Sequence, residues 1–424
     1  MLSSVQALNY RCLRYVDRPL LPFQVLIGPN ASGKSSFLDV VALLGDYVRE
    51  GLDNALLQTF QNPTGRATNV EQLIFHQSAP GFELAIELRV PEKLASNYQY
   101  ARYEVGFTKE ENGELALAGE TLWLHNDPEQ TLAQSQKQPS QFPMEPEPPN
   151  TLFKAPGKKK PPKGWRKVVN KIIESGNDYF RGESSDWNMM FRLGSRKSSL
   201  GGLPQDKRFP ISMWVRELLL EGIHILALNS IAMRRPCSPS EARTFKVDGS
   251  NLPLVVQDLE RNNPEVFQDW VAHIRTVLTD VQTILVQERS EDKHLYLAIQ
   301  YKSGGKPVPS WLLSDGTLRM LALTLLAYLP SHEGIYLIEE PENGIHPKAI
   351  EAVFLSLSSV YDSQILVATH SPLFLALAKR EQMLCFAKNP SGAIDIVSGD
   401  KHPDLQNWHG QISLATLYAA GVLG

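Results

Sequence analysis

The chain has little of what would place it in a specialised class. Its 424 residues hold only three cysteines, Cys12, Cys237 and Cys385, widely spaced and without a C-x-x-C pair. Neither a disulfide framework nor a cysteine metal site is expected, and reduced, buried thiols of a cytosolic protein are the simplest reading. No apolar run is long enough to cross a bilayer; the longest, around Leu321 to Leu329, is interrupted by Thr324. The opening Met1-Leu2-Ser3-Ser4-Val5-Gln6 lacks the basic and apolar regions of a signal peptide. A cytoplasmic protein without membrane association is therefore expected. Neither charge sign dominates: the net charge is −4, so any contact with nucleic acid would need a local patch. Sustained heptads and internal repeats are also missing, which excludes long coiled-coil arms and solenoids. Hydrophobic residues at 42% and charged residues at 21% describe an ordinary globular chain. Its length suits two or three modules, or one large α/β domain with insertions.

What is present is concentrated in a few motifs. Gly28-Pro29-Asn30-Ala31-Ser32-Gly33-Lys34-Ser35 spells G-x-x-x-x-G-K-S. It follows the apolar run Phe23, Val25, Leu26, Ile27 and precedes the helix-like Ser36 to Leu44. That is the strand–loop–helix context of a phosphate-binding loop. Its glycines let successive N–H groups point inward, and the helix N-terminus adds positive dipole character. Lys34 is expected to reach the β- and γ-phosphates of a nucleotide, and Ser35 to give its hydroxyl to Mg²⁺.

Around this motif the chain has three textures. Up to about residue 120, Phe82 to Val90 and Tyr100 to Phe107 alternate with period two, as antiparallel strands do. Glu111-Asn112-Gly113 predicts a hairpin turn, with Leu115-Ala116-Leu117 returning. From about 125 to 210 the composition changes. Asp127 to Asn150 is rich in Gln, Pro and Glu and reads as a loop or linker. A basic run follows: Lys154, Lys158, Lys159, Lys160, Lys163, Arg166, Lys167 and Lys171, with Trp165 inside it. It is either a contact for nucleic acid or an acidic partner, or a solvated arm. From about 212 the pattern is regular again: a helix at Val215 to Leu220, a strand at Ile223 to Leu228, an amphipathic helix at Pro264 to Leu278 and a strand at Leu295 to Ile299.

Three further motifs lie in this last zone. Ile335 to Pro341 is an apolar strand ending in Glu339 and Glu340. The first acid would hold Mg²⁺ and the second would activate the attacking water. Leu313-Ser314-Asp315-Gly316-Thr317 opens a helix and makes a second anion site from a hydroxyl and free N–H groups. Gln364 to Pro372 is a buried-type strand ending in Thr369-His370-Ser371, and a histidine there can touch a γ-phosphate.

In this order the four motifs resemble the ABC-type ATPase head, in the branch of structural-maintenance-of-chromosomes (SMC), RecF and OLD-type proteins, often grouped as AAA-family ATPases of bacteria. Asp248 to Pro253, Asn343 to His346 and the closing Leu414 to Tyr418 fit as well. The resemblance implies an α/β fold: a P-loop ATPase head with a mixed central sheet flanked by helices and an inserted middle lobe. The head would be built from residues 1–90 and 223–424, with 91–222 inserted. Gly28, Pro29, Asn30, Ala31, Ser32, Gly33, Lys34, Ser35 and Ser36 would be Walker A. Ser314, Asp315 and Gly316 would be the signature motif. Glu339, which stands where transporters carry Asp, would hold Mg²⁺ with Ser35. Glu340 would be the catalytic base, His370 the switch histidine and Asn343 to His346 the D-loop. Gln72 and Gln77 both lie where the metal-facing Q-loop is expected, and Gln77 is preferred; Arg11 would contact phosphate.

The resemblance also implies ATP and Mg²⁺ as cofactors. It implies a homodimer or higher homo-oligomer, because one chain's signature motif completes another chain's nucleotide site. The short stretch after His370 leaves no room for a TOPRIM nuclease, so chemistry other than ATP hydrolysis is not expected in this chain. Two functions remain. One is a sensor or regulatory ATPase of bacterial anti-phage defence that controls a separate effector, a nuclease or toxin. The other is a RecF-like repair ATPase that clamps duplex DNA. In either case the insertion is the expected recognition surface.

Overall fold

The computed structural model describes the whole chain except residues 59–64, 96, 111–112, 128–141, 157–158, 331–333, 407–413, 420 and 422–424. Two large sheets face each other across one helix. The first is eight-stranded, in the order β2 (Leu13–Pro19), β1 (Leu2–Tyr10), β4 (Gly81–Arg89), β5 (Tyr100–Lys109), β6 (Leu115–His125), β7 (Arg166–Ile172), β8 (Asn177–Arg181) and β9 (Asn188–Phe191). Every pairing in it is antiparallel. The second is six-stranded, in the order β10 (Ile223–Leu226), β14 (Gly334–Glu339), β15 (Ser363–Ala368), β3 (Phe23–Ile27), β16 (Met383–Lys388) and β17 (Ile394–Ser398). It is parallel except for β17. A small antiparallel sheet of β11 (Val281–Glu288), β12 (Leu295–Tyr301) and β13 (Val308–Pro309) stands apart.

Helix α1 (Lys34–Glu50) lies between the large sheets and is apolar almost all round, as a helix covered on both sides must be. Phe37, Val41 and Leu44 share a core with Ile86, Val105 and Leu122 of the antiparallel sheet and with Leu26, Leu337 and Leu366 of the parallel one. The opposite face of the parallel sheet carries Val25, Ile27, Ile338, Ile365 and Val367, which pack on the helices Leu252–Asn262, Pro264–Val277, Asp315–Leu325 and Pro347–Ser358. Alternating residues of one strand thus serve two separate cores, and the parallel strands read as continuous apolar runs.

The antiparallel sheet crosses the expected boundary at residue 90 without a break. β4 and β5 pair from Gly81↔Thr108 to Arg89↔Tyr100. The helix, strand, helix and strand expected from 215 onward form as Pro210–Glu221, Ile223–Leu226, Pro264–Val277 and Leu295–Tyr301. The hairpin turn expected at Glu111-Asn112 lies outside the described residues, between β5 and β6. The basic run is largely structural. Arg166, Lys167 and Lys171 belong to β7. Lys171 is buried against Asp178, Lys167 stands 4.6 Å over the Trp123 ring, and Arg166 donates to the carbonyls of Gly182 and Ser185. Lys154 lies over Trp165 at 5.7 Å. Lys159, Lys160 and Lys163 stay exposed, and Lys158 lies outside the described residues.

A buried carboxylate ties this sheet to α1. Glu120 accepts from Tyr47 Oη (3.0 Å), Tyr103 Oη (2.8 Å), Ser198 Oγ (2.7 Å) and the backbone N–H groups of Ser199 and Leu200. Removing it strands several buried donors at once, each costing about 1–3 kcal/mol. Glu120→Leu is therefore expected to lower unfolding free energy by at least about 3 kcal/mol in urea titration. A loss below about 1 kcal/mol would show that the donors find other partners.

Candidate nucleotide site

The parallel register brings the site together. In the order β14–β15–β3, Glu339 is level with Ala368 and Ala368 with Leu26. The acidic pair, Thr369-His370 and the P-loop therefore all leave their strands at one edge, the crevice beyond the carboxyl ends where open α/β sheets bind ligands. A cleft of about 1010 Å³ opens there. Asn30, Ala31, Ser32, Gly33, Lys34, Ser35, Ser36, Arg11, Gln72, Gln77, Glu339, Glu340 and His370 all line it. Cys12, Arg66 and His76 do so too, with no motif to announce them.

The P-loop wraps the N-terminus of α1. Gly33 has φ 90°, and a Cβ there would sit 3.0 Å from both Cys12 Sγ and Ile394 Cγ1, so a larger residue would strain the backbone and crowd both side chains. Lys34 Nζ donates to the carbonyls of Gly28 (2.7 Å) and Pro29 (2.9 Å), within its own loop. Burial lowers its ammonium pKa, opposed by the charges of Glu340 and Glu339. Ser35 Oγ donates to Glu339 Oε2 at 2.8 Å. A hydroxyl and a carboxylate converging in this way are the hard oxygen donors that Mg²⁺ takes, so the residues present fit that ion.

Glu340 and His370 face each other at 2.7 Å, Oε1 to Nε2. Burial, then the neighbouring Glu342, push the Glu340 carboxyl up to about 8. Glu342 is itself held by Thr369 Oγ1 at 2.5 Å. Glu340 has φ 47°, and its N–H donates to Ala368 O at 2.8 Å, which turns the chain sharply off β14. Among the described non-glycine residues, Asn9, Arg11, Ala31, His76, Gln77, Lys293 and Glu340 have positive φ. All but Asn9 and Lys293 line this cleft. Backbone strain concentrated at one place is a mark of a functional site.

Arg11 is aimed by Asp39 of α1, at 3.1 Å, which also accepts from Tyr10 Oη (2.6 Å) and Arg66 Nε (2.7 Å). Of the two candidate glutamines, Gln72 accepts from the Thr68 N–H and hydroxyl, while Gln77 carries the left-handed backbone. Ser314, Asp315 and Gly316 do not line the cleft. Ser314 caps the helix Asp315–Leu325, its Oγ accepting from Thr317 N at 3.1 Å. Gly316 lies so near the D-loop segment that a Cβ would meet Gly344 O at 2.1 Å.

Residues 23–376 match the family described as "AAA domain, putative AbiEii toxin, Type IV TA system". The chain belongs to this family of AAA ATPases. It is 45% identical over 47 residues to the OLD nuclease of Thermus scotoductus, a match spanning 11% of this chain and 9% of that protein. The structure of an SMC head bound to the C-winged helix domain of ScpA aligns over 93% of this chain and 96% of that one, with TM-score 0.50 and 14% identity. The fold is that of an ABC-type SMC head. A second SMC head, from Pyrococcus furiosus, aligns over 93% of the AAA chain with TM-score 0.47 and 13% identity. No helix among the described residues is long and apolar enough to cross a membrane.

Lys34→Ala is expected to abolish binding of a fluorescent ATP analogue, because the Lys34 ammonium is the charge held on the Gly28 and Pro29 carbonyls at the loop. Retention of wild-type affinity would remove Lys34 from the site.

Proposed function

We propose that this AAA protein is a Mg²⁺-dependent ATP hydrolase that works as a pair of heads, each completing the other's nucleotide site. The observation that carries this reading is a separation. Lys34, Ser35, Glu339, Glu340 and His370 share one cleft, whereas Ser314 of the same chain stands outside it at the tip of another helix. A helix N-terminus favours an anion, and the γ-phosphate held by a second copy would meet Ser314 there.

The roles follow from the contacts. Lys34 would leave the Gly28 and Pro29 carbonyls for the β- and γ-phosphates, and Ser35 and Glu339 would hold Mg²⁺, which neutralises phosphate charge when bound. Glu340, once ionised, would accept a proton from the attacking water, and His370 would hold Glu340 in place. Gln77 would face the metal and Arg11 the phosphates. Association of heads under ATP and release after hydrolysis make a switch rather than a synthetic activity.

That switch suits a sensor or regulatory subunit of bacterial antiviral defence, acting in the cytoplasm on a separate effector, a nuclease or toxin. Two observations support it: the family description names a toxin–antitoxin system, and the curated relative is a nuclease of OLD type.

Glu340→Gln keeps the shape of the side chain and loses its basicity. It is expected to bind ATP, to cut turnover at least about 100-fold and to accumulate as ATP-bound dimer in light scattering. Ser314→Arg should bind ATP but neither hydrolyse it nor dimerise. Mixed with Lys34→Ala, it should regain part of the activity, each mutant donating its intact half. If no such mixture regains activity although subunits exchange, the composite site is wrong.

A further inference from the structure

The eight-stranded sheet ends differently at its two edges. At β2 the edge is closed: Arg18 pairs with Asp395 of β17 at 3.5 Å, and Arg14 with Glu145. At β9 no further strand follows among the described residues. Gly182 N donates to Trp187 O at 2.9 Å across the β8–β9 turn. From there the register runs Arg181↔Asn188, Phe180↔Met189, Tyr179↔Met190 and Asp178↔Phe191. Hydrogen-bonded and non-bonded positions alternate along an antiparallel pair, so Phe180↔Met189 is a bonded position. The N–H and C=O groups of Asn188 and Met190 therefore point away from β8, toward the open edge.

Natural edge strands are protected by inward charges, prolines or bulges. This one has none of them. Asn188-Met189-Met190-Phe191 is uncharged and pairs with β8 without a register shift. Met189, Met190 and Phe191 are all exposed, Met190 to 54%. Phe191 stands edge-on to Phe180 at 5.6 Å and Trp187 edge-on to Phe209 at 5.8 Å, so the aromatic rings beside the edge are fixed by packing. An unprotected apolar edge held in place this way is a template for one more strand.

The residues around the edge select that strand. Asp186-Trp187-Asn188-Met189-Met190-Phe191-Arg192 reads acid, aromatic, polar, Met, Met, aromatic, base. Laid antiparallel on itself with Met189 at the centre, the segment sets Asn188 opposite Met190, Trp187 opposite Phe191 and Asp186 opposite Arg192. The outward backbone groups of Asn188 and Met190 then meet each other, beside aromatic and methionine side chains that pack well across strands. The neighbouring bonded registers set Asp186 opposite Met190, or Asn188 opposite Arg192, and lose both ion pairs. Asp186 is 93% exposed and already near Arg181 at 2.9 Å, and Arg192 Nε donates to Asn177 at 3.0 Å. The rim charges therefore choose the register, and the apolar centre supplies the attraction. We propose that β9 pairs with β9 of a second copy of this chain, antiparallel about a two-fold axis at Met189, joining two eight-stranded sheets into one. No residue of β9 lines the nucleotide cleft, so this contact needs no ATP and differs from the head pairing proposed above. A chain that makes both contacts builds assemblies larger than a pair.

Sedimentation velocity of the full chain without nucleotide tests this. Wild type is expected to be a dimer at micromolar concentration, and Lys34→Ala equally so. Met190→Pro removes an N–H that faces outward, so the β8–β9 ladder and the Tm should be kept while dimerisation weakens at least about tenfold. Asp186→Arg and Arg192→Asp each set like charges opposite one another across the two-fold, and each should be more monomeric than wild type. An equal mixture of these two variants should dimerise again, because every rim pair then joins opposite charges. The charge variants decide the matter if Met190→Pro does not fold. A monomeric wild type overturns the proposal and leaves the edge to a strand of a different protein. A dimer undiminished by Met190→Pro, or charge variants that no mixing restores, overturns β9 as the contact.

Discussion

The register of three parallel strands is the constraint on which the rest depends. With Glu339, Ala368 and Leu26 level across β14, β15 and β3, three strand ends finish at one edge. A one-residue slip of β14 would turn Glu339 to the other side of the sheet and send Glu340 back along the strand. The register is held from both faces at once, because alternate residues of the same strands feed two different cores. Stability and site geometry are therefore one requirement here.

Helix α1 carries that requirement into the rest of the molecule. Its first turn presents Lys34 and Ser35 to the cleft, its middle fills the space between the sheets, and Asp39 and Tyr47 reach into polar networks on the antiparallel side. A nucleotide at its N-terminus would thus be coupled to the antiparallel sheet through a rigid, packed rod. The same sheet runs without a break from β4 into β5 and β6, so the segment expected to recognise partners is continuous with the head rather than appended to it.

Strain marks the boundary between scaffold and site. Arg11, Ala31, His76, Gln77 and Glu340 hold left-handed backbones around one cleft. Such conformations persist only where surrounding packing over-determines them. Arg11 illustrates how: its N–H donates to Leu73 O at 2.8 Å while its guanidinium is drawn to Asp39.

Much of this was legible in the sequence, because short motifs act locally. Gly33 in a G-x-x-x-x-G-K-S run must turn left-handed, and an apolar strand ending in Glu339-Glu340 must release its acids at the sheet edge. The family resemblance followed from the order of such motifs and needed no contacts. Distances through space were not legible. Nothing local says that β5 and β6, placed in an insertion, continue the sheet of β4, because strand pairing depends on which edge is left open. The charge run from Lys154 to Lys171 reads as a partner contact or a solvated arm, yet Lys171 is buried against Asp178 and Lys167 lies on Trp123. Arg66, Cys12 and His76 reach the cleft from separate turns. Local geometry is dictated by neighbours along the chain; burial, pairing and charge balance are decided by neighbours in space.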